Sequence, residues 1–158
     1  MSRSLFKICL ATKQDLPKIL VLQHTAFRSE AVAHGDFKIP PLLQTFEEVE
    51  EEFLKGIFLK AVDQNQKIVG SIRAFREDET VHVAKLIVEP PLWGQGIGKT
   101  LILAMEQRFS GVRFEIFTSV RNLRAVGIYE SLGYEKFCTQ KVNERLALIY
   151  LEKIDSGE

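Results

Sequence analysis

The sequence predicts a single α/β domain in which a mixed, mostly antiparallel sheet of about seven strands is flanked by about four helices. Three observations carry this. Apolar, β-prone runs at residues 57–62, 67–75, 81–88 and 113–120 are bounded by polar turns, as strands are. Apolar residues recur at helical spacing within 16–27, 46–53 and 97–109. One stretch passes from the first pattern to the second through two prolines and three glycines at alternate positions, Gly94, Gly96 and Gly98.

Taken in order, residues 5–10 alternate well enough for a first strand. Thr12 or Asp15 then caps a helix with Pro17 in its first turn, where a missing N–H costs little. Leu16, Ile19, Leu20, Gln23 and Phe27 give that helix one mostly apolar face. Between 31 and 43 the pattern breaks at Gly35, Pro40 and Pro41, an irregular connection. Thr45 followed by Glu48 is a capping box, and Phe46, Val49 and Phe53 continue a short helix to Gly56. Two strands around the polar turn Asp63-Gln64-Asn65-Gln66 read as a hairpin. After the charged turn 76–79 comes the central strand, then a helix carrying Ile97, Leu101, Ala104, Met105 and Phe109, which Gly111 closes. A strand at 113–120, a helix at 123–132 ending at Gly133, and strands at 135–140 and 146–151 complete the chain, with residues 155–158 as a frayed tail.

Composition narrows the function classes. The 158 residues suffice for one proper core. Twenty-one basic residues balance 21 acidic ones, so no polyanion-binding surface is implied and nucleic acid is not an expected partner. Cys9 and Cys138 lie far apart without metal or redox spacing, and no metal is expected. The start does not resemble a signal peptide and the longest apolar runs are too short to cross a bilayer, so a cytoplasmic protein without membrane contact is expected.

The segment from Val81 to Thr100 organises the rest. Glycines let a backbone turn tightly and point its N–H groups at one external object, and a helix N-terminus favours an anion there. A phosphate fits best. Three glycine-loop chemistries compete. A nucleotide P-loop fails because Trp93 stands where its first glycine belongs, five residues before Gly98. A dinucleotide fingerprint fails because its third glycine falls on Lys99 or Leu101.

The third chemistry is carried by a resemblance. Val88-Glu89-Pro90-Pro91-Leu92-Trp93-Gly94-Gln95-Gly96-Ile97-Gly98-Lys99 is similar to the acyl-CoA pyrophosphate loop of the GNAT superfamily of N-acetyltransferases. Asn122-x-x-Ala125-x-x-x-Tyr129-Glu130-x-x-Gly133-Tyr134 resembles that family's later motif, in the right order and separation. The element order read above is also the family's. The resemblance implies a single N-acetyltransferase domain over residues 1–154, acetyl-CoA as co-substrate and a primary amine as acceptor. It also implies a homodimer. One departure is plain: Trp93 stands where the family has Arg or Gln, so no side chain ion-pairs with a phosphate from that position.

By the same resemblance, the strand holding Val88 splays from its neighbour. Leu86, Ile87 and Val88 then contact the pantetheine arm through backbone, with the Val88 N–H facing the thioester oxygen. Trp93, Gly94, Gln95, Gly96, Ile97, Gly98, Lys99 and Thr100 hold the diphosphate. Asn122 touches the arm and Ala125 lets it approach. Acetyl transfer needs a polarised carbonyl, a deprotonated amine and a protonated leaving thiolate. Tyr129 is the candidate general acid, since a phenol of pKa about 10 is protonated at neutral pH. His82 is the candidate base, titrating near neutrality on the central strand, with Glu115 and Glu89 behind it. Arg121 and Arg124 are within sequence reach of the phosphates, and His24 and His34 have no partner pattern.

The family's acceptor site is walled by residues 27–53 of this chain. Glu47, Glu48, Glu50, Glu51 and Glu52 there either attract a cationic amine or form the wet face of an amphipathic helix. Polyamine, aminoglycoside-like amine, amino acid and protein N-terminus all stay open. Two other classes compete with an enzyme: a non-catalytic acyl-CoA sensor, and a phosphate- or nucleotide-binding module of another kind.

Overall fold

The structure is a computed structural model and describes residues 5–155. Its seven strands are β1 (Phe6–Leu10), β2 (Ile57–Asp63), β3 (Ile68–Glu77), β4 (Thr80–Val88), β5 (Arg113–Ser119), β6 (Glu135–Lys141) and β7 (Ala147–Ile154). They form one sheet in the order β1-β2-β3-β4-β5-β7-β6. Every neighbouring pair is antiparallel except β4 with β5. The α-helices are α1 (Leu16–His34), α2 (Pro40–Leu43), α3 (Phe46–Lys55), α4 (Ile97–Glu106) and α5 (Leu123–Ser131). The α/β class and the mixed sheet are as the sequence predicts.

Several boundaries differ, the last strand among them, which runs to Ile154; three have a clear local reason. The first helix runs past the apparent break to His34, because Gly35 takes the left-handed conformation (φ 66°) and its N–H closes on the Ala31 carbonyl. The irregular connection contains one helical turn, α2, opened by Pro40 and Pro41, so there are five α-helices rather than four. α4 stops at Glu106 and Phe109 lies beyond it, because Arg108 and Phe109 donate to carbonyls only three residues back. The capping box stands as read: Thr45 N–H donates to Glu48 Oε1 at 2.8 Å, and Glu48 N–H returns to Thr45 Oγ1 at 3.3 Å. Of the expected tail, Asp155 donates its N–H to the Val112 carbonyl and accepts from Gly111 N–H, and residues 156–158 lie outside the described range.

Helices cover both faces of the sheet. One core packs α4 and α5 against β3, β4 and β5 through Val83, Leu101, Met105, Phe114, Ile116 and Tyr129. The other packs α1 and α3 against β2 through Leu16, Ile19, Val49 and Phe58.

Inside the second face sits a buried cation. Arg73 of β3 is 3% exposed. It donates to Glu52 Oε2 at 2.6 Å, Gln23 Oε1 at 2.7 Å and Gln44 Oε1 at 3.3 Å. Its guanidinium also lies 4.5 Å from the Phe58 ring centroid. Gln23 in turn donates to the Pro41 carbonyl and to Gln44. A buried charge is tolerated only when so paired, and the pairing fixes α1, α2 and α3 against the sheet.

Gly56, between α3 and β2, has no room for a side chain: a Cβ there would collide with the Ala74 carbonyl oxygen and press on Phe75 Cβ at 3.1 Å. Gly56→Ala is expected to cost about 2 kcal/mol, roughly 6 °C in Tm by scanning calorimetry. An unchanged Tm would contradict that packing.

Candidate functional site

The site begins with one surplus residue. Ser71 pairs with Ile87 and Arg73 with Ala84, so β4 spends three steps where β3 spends two, and the extra length falls at Lys85 and Leu86. Lys85 takes the left-handed conformation (φ 53°), at a backbone cost of about 1 kcal/mol for a residue with a Cβ. Beyond this bulge β4 parts from β5: their pairing runs only from Thr80 and Arg113 to Val83 and Ile116, while β4 continues to Val88 and β5 to Ser119.

The parted edge exposes backbone. Glu89 N–H donates to the Val69 carbonyl of β3, and successive amides on a strand point to opposite edges, so the Val88 N–H faces the gap toward β5. The Val88 carbonyl on that same edge accepts the Trp93 indole N–H at 2.8 Å. Ile87 does not join in: it pairs with Ser71 and is 1% exposed in the α1-side core.

The glycine loop follows. Gly94 and Gly96 hold φ of 85° and 84°, which only glycine adopts cheaply, and the space where each Cβ would stand is open to 4 Å. Among the described residues no protein acceptor takes the amides of Gly94, Gln95 or Gly96. The first amides of α4, beginning at Ile97, have no intrahelical partner either. Thr100 instead spends its hydroxyl on the Gly96 carbonyl at 2.8 Å.

Trp93 does more than replace a cation. While its indole N–H ties the loop to the end of β4, its ring face carries the Arg124 guanidinium at 3.8 Å. Arg124 therefore brings positive charge from α5 to the place where the loop lacks its own.

These elements enclose a cavity of about 640 Å³ between the α1 and α5 faces of the parted strands. Leu86, Val88, Trp93, Gly94, Gly96, Ile97, Gly98, Lys99, Asn122, Ala125 and Tyr129 line it, together with Arg124. Asn122 is the N-cap of α5, its Oδ1 accepting from Ala125 N–H at 3.2 Å. Tyr129 is 4% exposed, and burial pushes its phenol above the ordinary range, against the pull of Arg124 and with a further push from Glu30. Tyr134 of the same motif is structural, its hydroxyl donating to Glu106 Oε2 at 2.8 Å.

Several sequence candidates lie elsewhere. His82 does not line the cavity: it stacks on Phe75 at 4.8 Å and sits 3.4 Å from Glu115 and 3.6 Å from Glu77. Glu115 is also held by Arg113 and Glu89 by Lys67, at 2.9 and 2.8 Å. Gln95, Thr100 and Arg121 are exposed outside the lining. None of the α3 glutamates reaches it, since Glu48 caps the helix and Glu52 pairs with Arg73 and Lys85.

Sequence reasoning missed Lys85 and Phe117, which also line the cavity; Phe27, Glu30 and Ile39 line it too, within the expected acceptor wall of residues 27–53, although no pattern singles out Glu30 or Ile39. A lysine inside an apolar strand run was the one legible signal; Glu30 resembles any wet helical glutamate.

Known proteins share this architecture. A spermidine N-acetyltransferase from Vibrio cholerae, solved with CoA and spermine, superposes with TM-score 0.71 at 16% identity over 98% of both chains. A phosphinothricin acetyltransferase from Sinorhizobium meliloti, solved with AcCoA, gives 0.74 at 18% over 97% of this chain and 90% of that one. A paia N-acetyltransferase from Thermoplasma acidophilum, solved with coenzyme A, gives 0.76 at 16% over 98% and 99%. The UPF0157 protein YqkA of Bacillus subtilis is 24% identical over 132 residues, 83% of this chain, which spans only 38% of the length of that relative. Residues 19–134 match the acetyltransferase (GNAT) family, and the chain belongs to it.

Proposed function

We propose that this protein transfers the acetyl group of acetyl-CoA directly to the primary amine of a small acceptor. The observation that carries the reading is the joining of a strand edge left open by the Lys85 bulge to a loop of open amides at a helix N-terminus, along one cavity. Such an edge takes an extended amide-bearing arm as an added strand, and such a loop takes a diphosphate. The donor set fits coenzyme A, which has both. Acetyl-CoA supplies the activated thioester.

The chain's own groups then divide the work. The Val88 N–H polarises the acyl oxygen in a site that excludes water. The amides of residues 94–99 hold the diphosphate, with Lys99 and the Trp93-stacked Arg124 adding charge. Asn122, its oxygen spent on capping α5, offers its amide nitrogen to the arm. Tyr129 gives its phenol proton to the departing sulfur, and the proton that the nitrogen sheds on acylation returns to the phenolate; burial keeps the resting phenol protonated across the pH range of an assay, so Tyr129 adds no alkaline limb to the rate profile below about pH 10. His82, turned away from the cavity, is not assigned the role of base.

Acetyl-CoA at a hundredfold excess over its Kd is expected to stabilise the fold by about 2.7 kcal/mol, seen as a rise in Tm, with ATP and NAD giving less. Equal stabilisation by ATP would overturn the reading in favour of a nucleotide module. Tyr129→Phe is expected to lower kcat about 100-fold while calorimetric CoA affinity holds; an unaltered kcat would leave an acyl-CoA sensor or another acid. Arg124→Ala is expected to weaken CoA about tenfold, and adding Trp93→Ala should cost less than the sum of the two, because one presents the other. Additive losses would mean that the stack plays no part.

A further inference from the structure

Part of the cavity lining has no role in the proposed cofactor contacts, and its charges are few. Its walls are Phe27, Ile39, Pro40, Phe117 and Leu146, with Glu30 and Lys85 as its ionisable side chains. Lys85 is held by the bulge itself, next to Leu86 and three residues before the Val88 amide, so it stands where the acceptor must arrive.

The lysine's one close ion pair is shared with a second cation. Glu52 Oε1 lies 3.7 Å from Lys85 Nζ, but the other oxygen of that carboxylate is bound at 2.6 Å by Arg73, itself a buried cation. Two cations thus share one carboxylate at ion-pair distance, with Glu48 acting on Lys85 from farther away, so the Lys85 ammonium can take a further anionic partner from the cavity. Burial lowers the Lys85 pKa and Arg73 reinforces it, while Glu52 and, more weakly, Glu48 oppose it. At the other side Glu30 acts electrostatically on both Tyr129 and Arg124, near the end where the sulfur departs.

We propose that the acceptor is a small α-amino acid whose carboxylate is bound by Lys85 and whose ammonium enters on the Glu30 side, beside the Val88 amide. A polyamine would bring a second cation beside the Lys85 ammonium, where a carboxylate instead finds its counter-charge. A peptide N-terminus would bring a neutral carbonyl where a carboxylate is called for. The apolar walls favour an uncharged side chain, since a charged one would be desolvated against Phe27 and Ile39 without a partner.

This inference rests on the acetyl transfer proposed above. Its test is thiol release from acetyl-CoA with apolar α-amino acids, each paired with its own carboxamide, alongside spermidine. Wild type is expected to favour the acid over the amide at least tenfold in kcat/KM. Lys85→Arg should keep that preference, and Lys85→Met should abolish it through KM, with kcat changed less than threefold. Calorimetric titration of the preferred amino acid into CoA-saturated protein gives a readout free of turnover, and Lys85→Met should weaken it tenfold or more while Tm stays within a few degrees. Transfer to spermidine or to carboxamides in preference to amino acids would overturn the proposal and leave acetyl transfer standing. Loss of kcat on every amine in Lys85→Arg would also overturn it, making Lys85 a proton acceptor instead. If acetyl-CoA neither binds nor releases thiol with any amine, the function falls and this inference with it.

Discussion

The site depends on one mismatch in strand length. Where β3 takes two steps, β4 takes three, and the surplus is absorbed by a lysine in the left-handed region. That bulge turns β4 away from β5 after only four paired positions. A sheet that closed fully here would satisfy the Val88 amide with another strand. Because it does not, a polar edge is left at the base of a cavity, and an external chain can complete the ladder.

The rest of the molecule holds that gap open. On one face α4 and α5 pack on the central strands, and the αL glycines bring the N-terminus of α4 to the mouth of the cavity. The other face is held by Arg73, whose guanidinium reaches residues from α1, α3 and the segment after α2 together. Apart from its polar partners, this cation is buried in an apolar wall of Phe, Leu, Ile, Val and Ala. Its partner Glu52 is pushed up by burial but pulled further down by Lys85 and Arg73, so it stays ionised. The stability it lends is present above the ordinary carboxylate pKa and is lost as pH falls through its lowered value. The same carboxylate thus ties α3 to Arg73 of the sheet and to Lys85 of the cavity wall at once.

Trp93 shows how a departure from a family's pattern can be absorbed. An arginine or glutamine at that point contributes its own hydrogen bonds, whereas the indole secures the loop through the Val88 carbonyl and serves as a platform for Arg124. The cation on that platform comes from a different element, thirty-one residues away in the chain.

Much of the fold was legible because its signals are local. Strand and helix periods, the Thr45–Glu48 capping box and the alternate glycines depend on neighbours a few residues apart, and the motifs at 88–99 and 122–134 mark segments that line one cavity. Leu86, Val88, Trp93, the loop glycines, Asn122, Ala125 and Tyr129 accordingly meet on one cavity. What tertiary structure alone decided was direction and charge balance. His82 and Ile87 belong to the right strand, yet the pleat and the bulge turn them to other surroundings. Lys85 and Glu30 carry no pattern, and they matter only because a one-residue register shift and a long first helix bring them to the same space. Spacing along a chain fixes what a residue can do locally; which charges remain uncompensated depends on every group the fold brings near, and no window of sequence contains that sum.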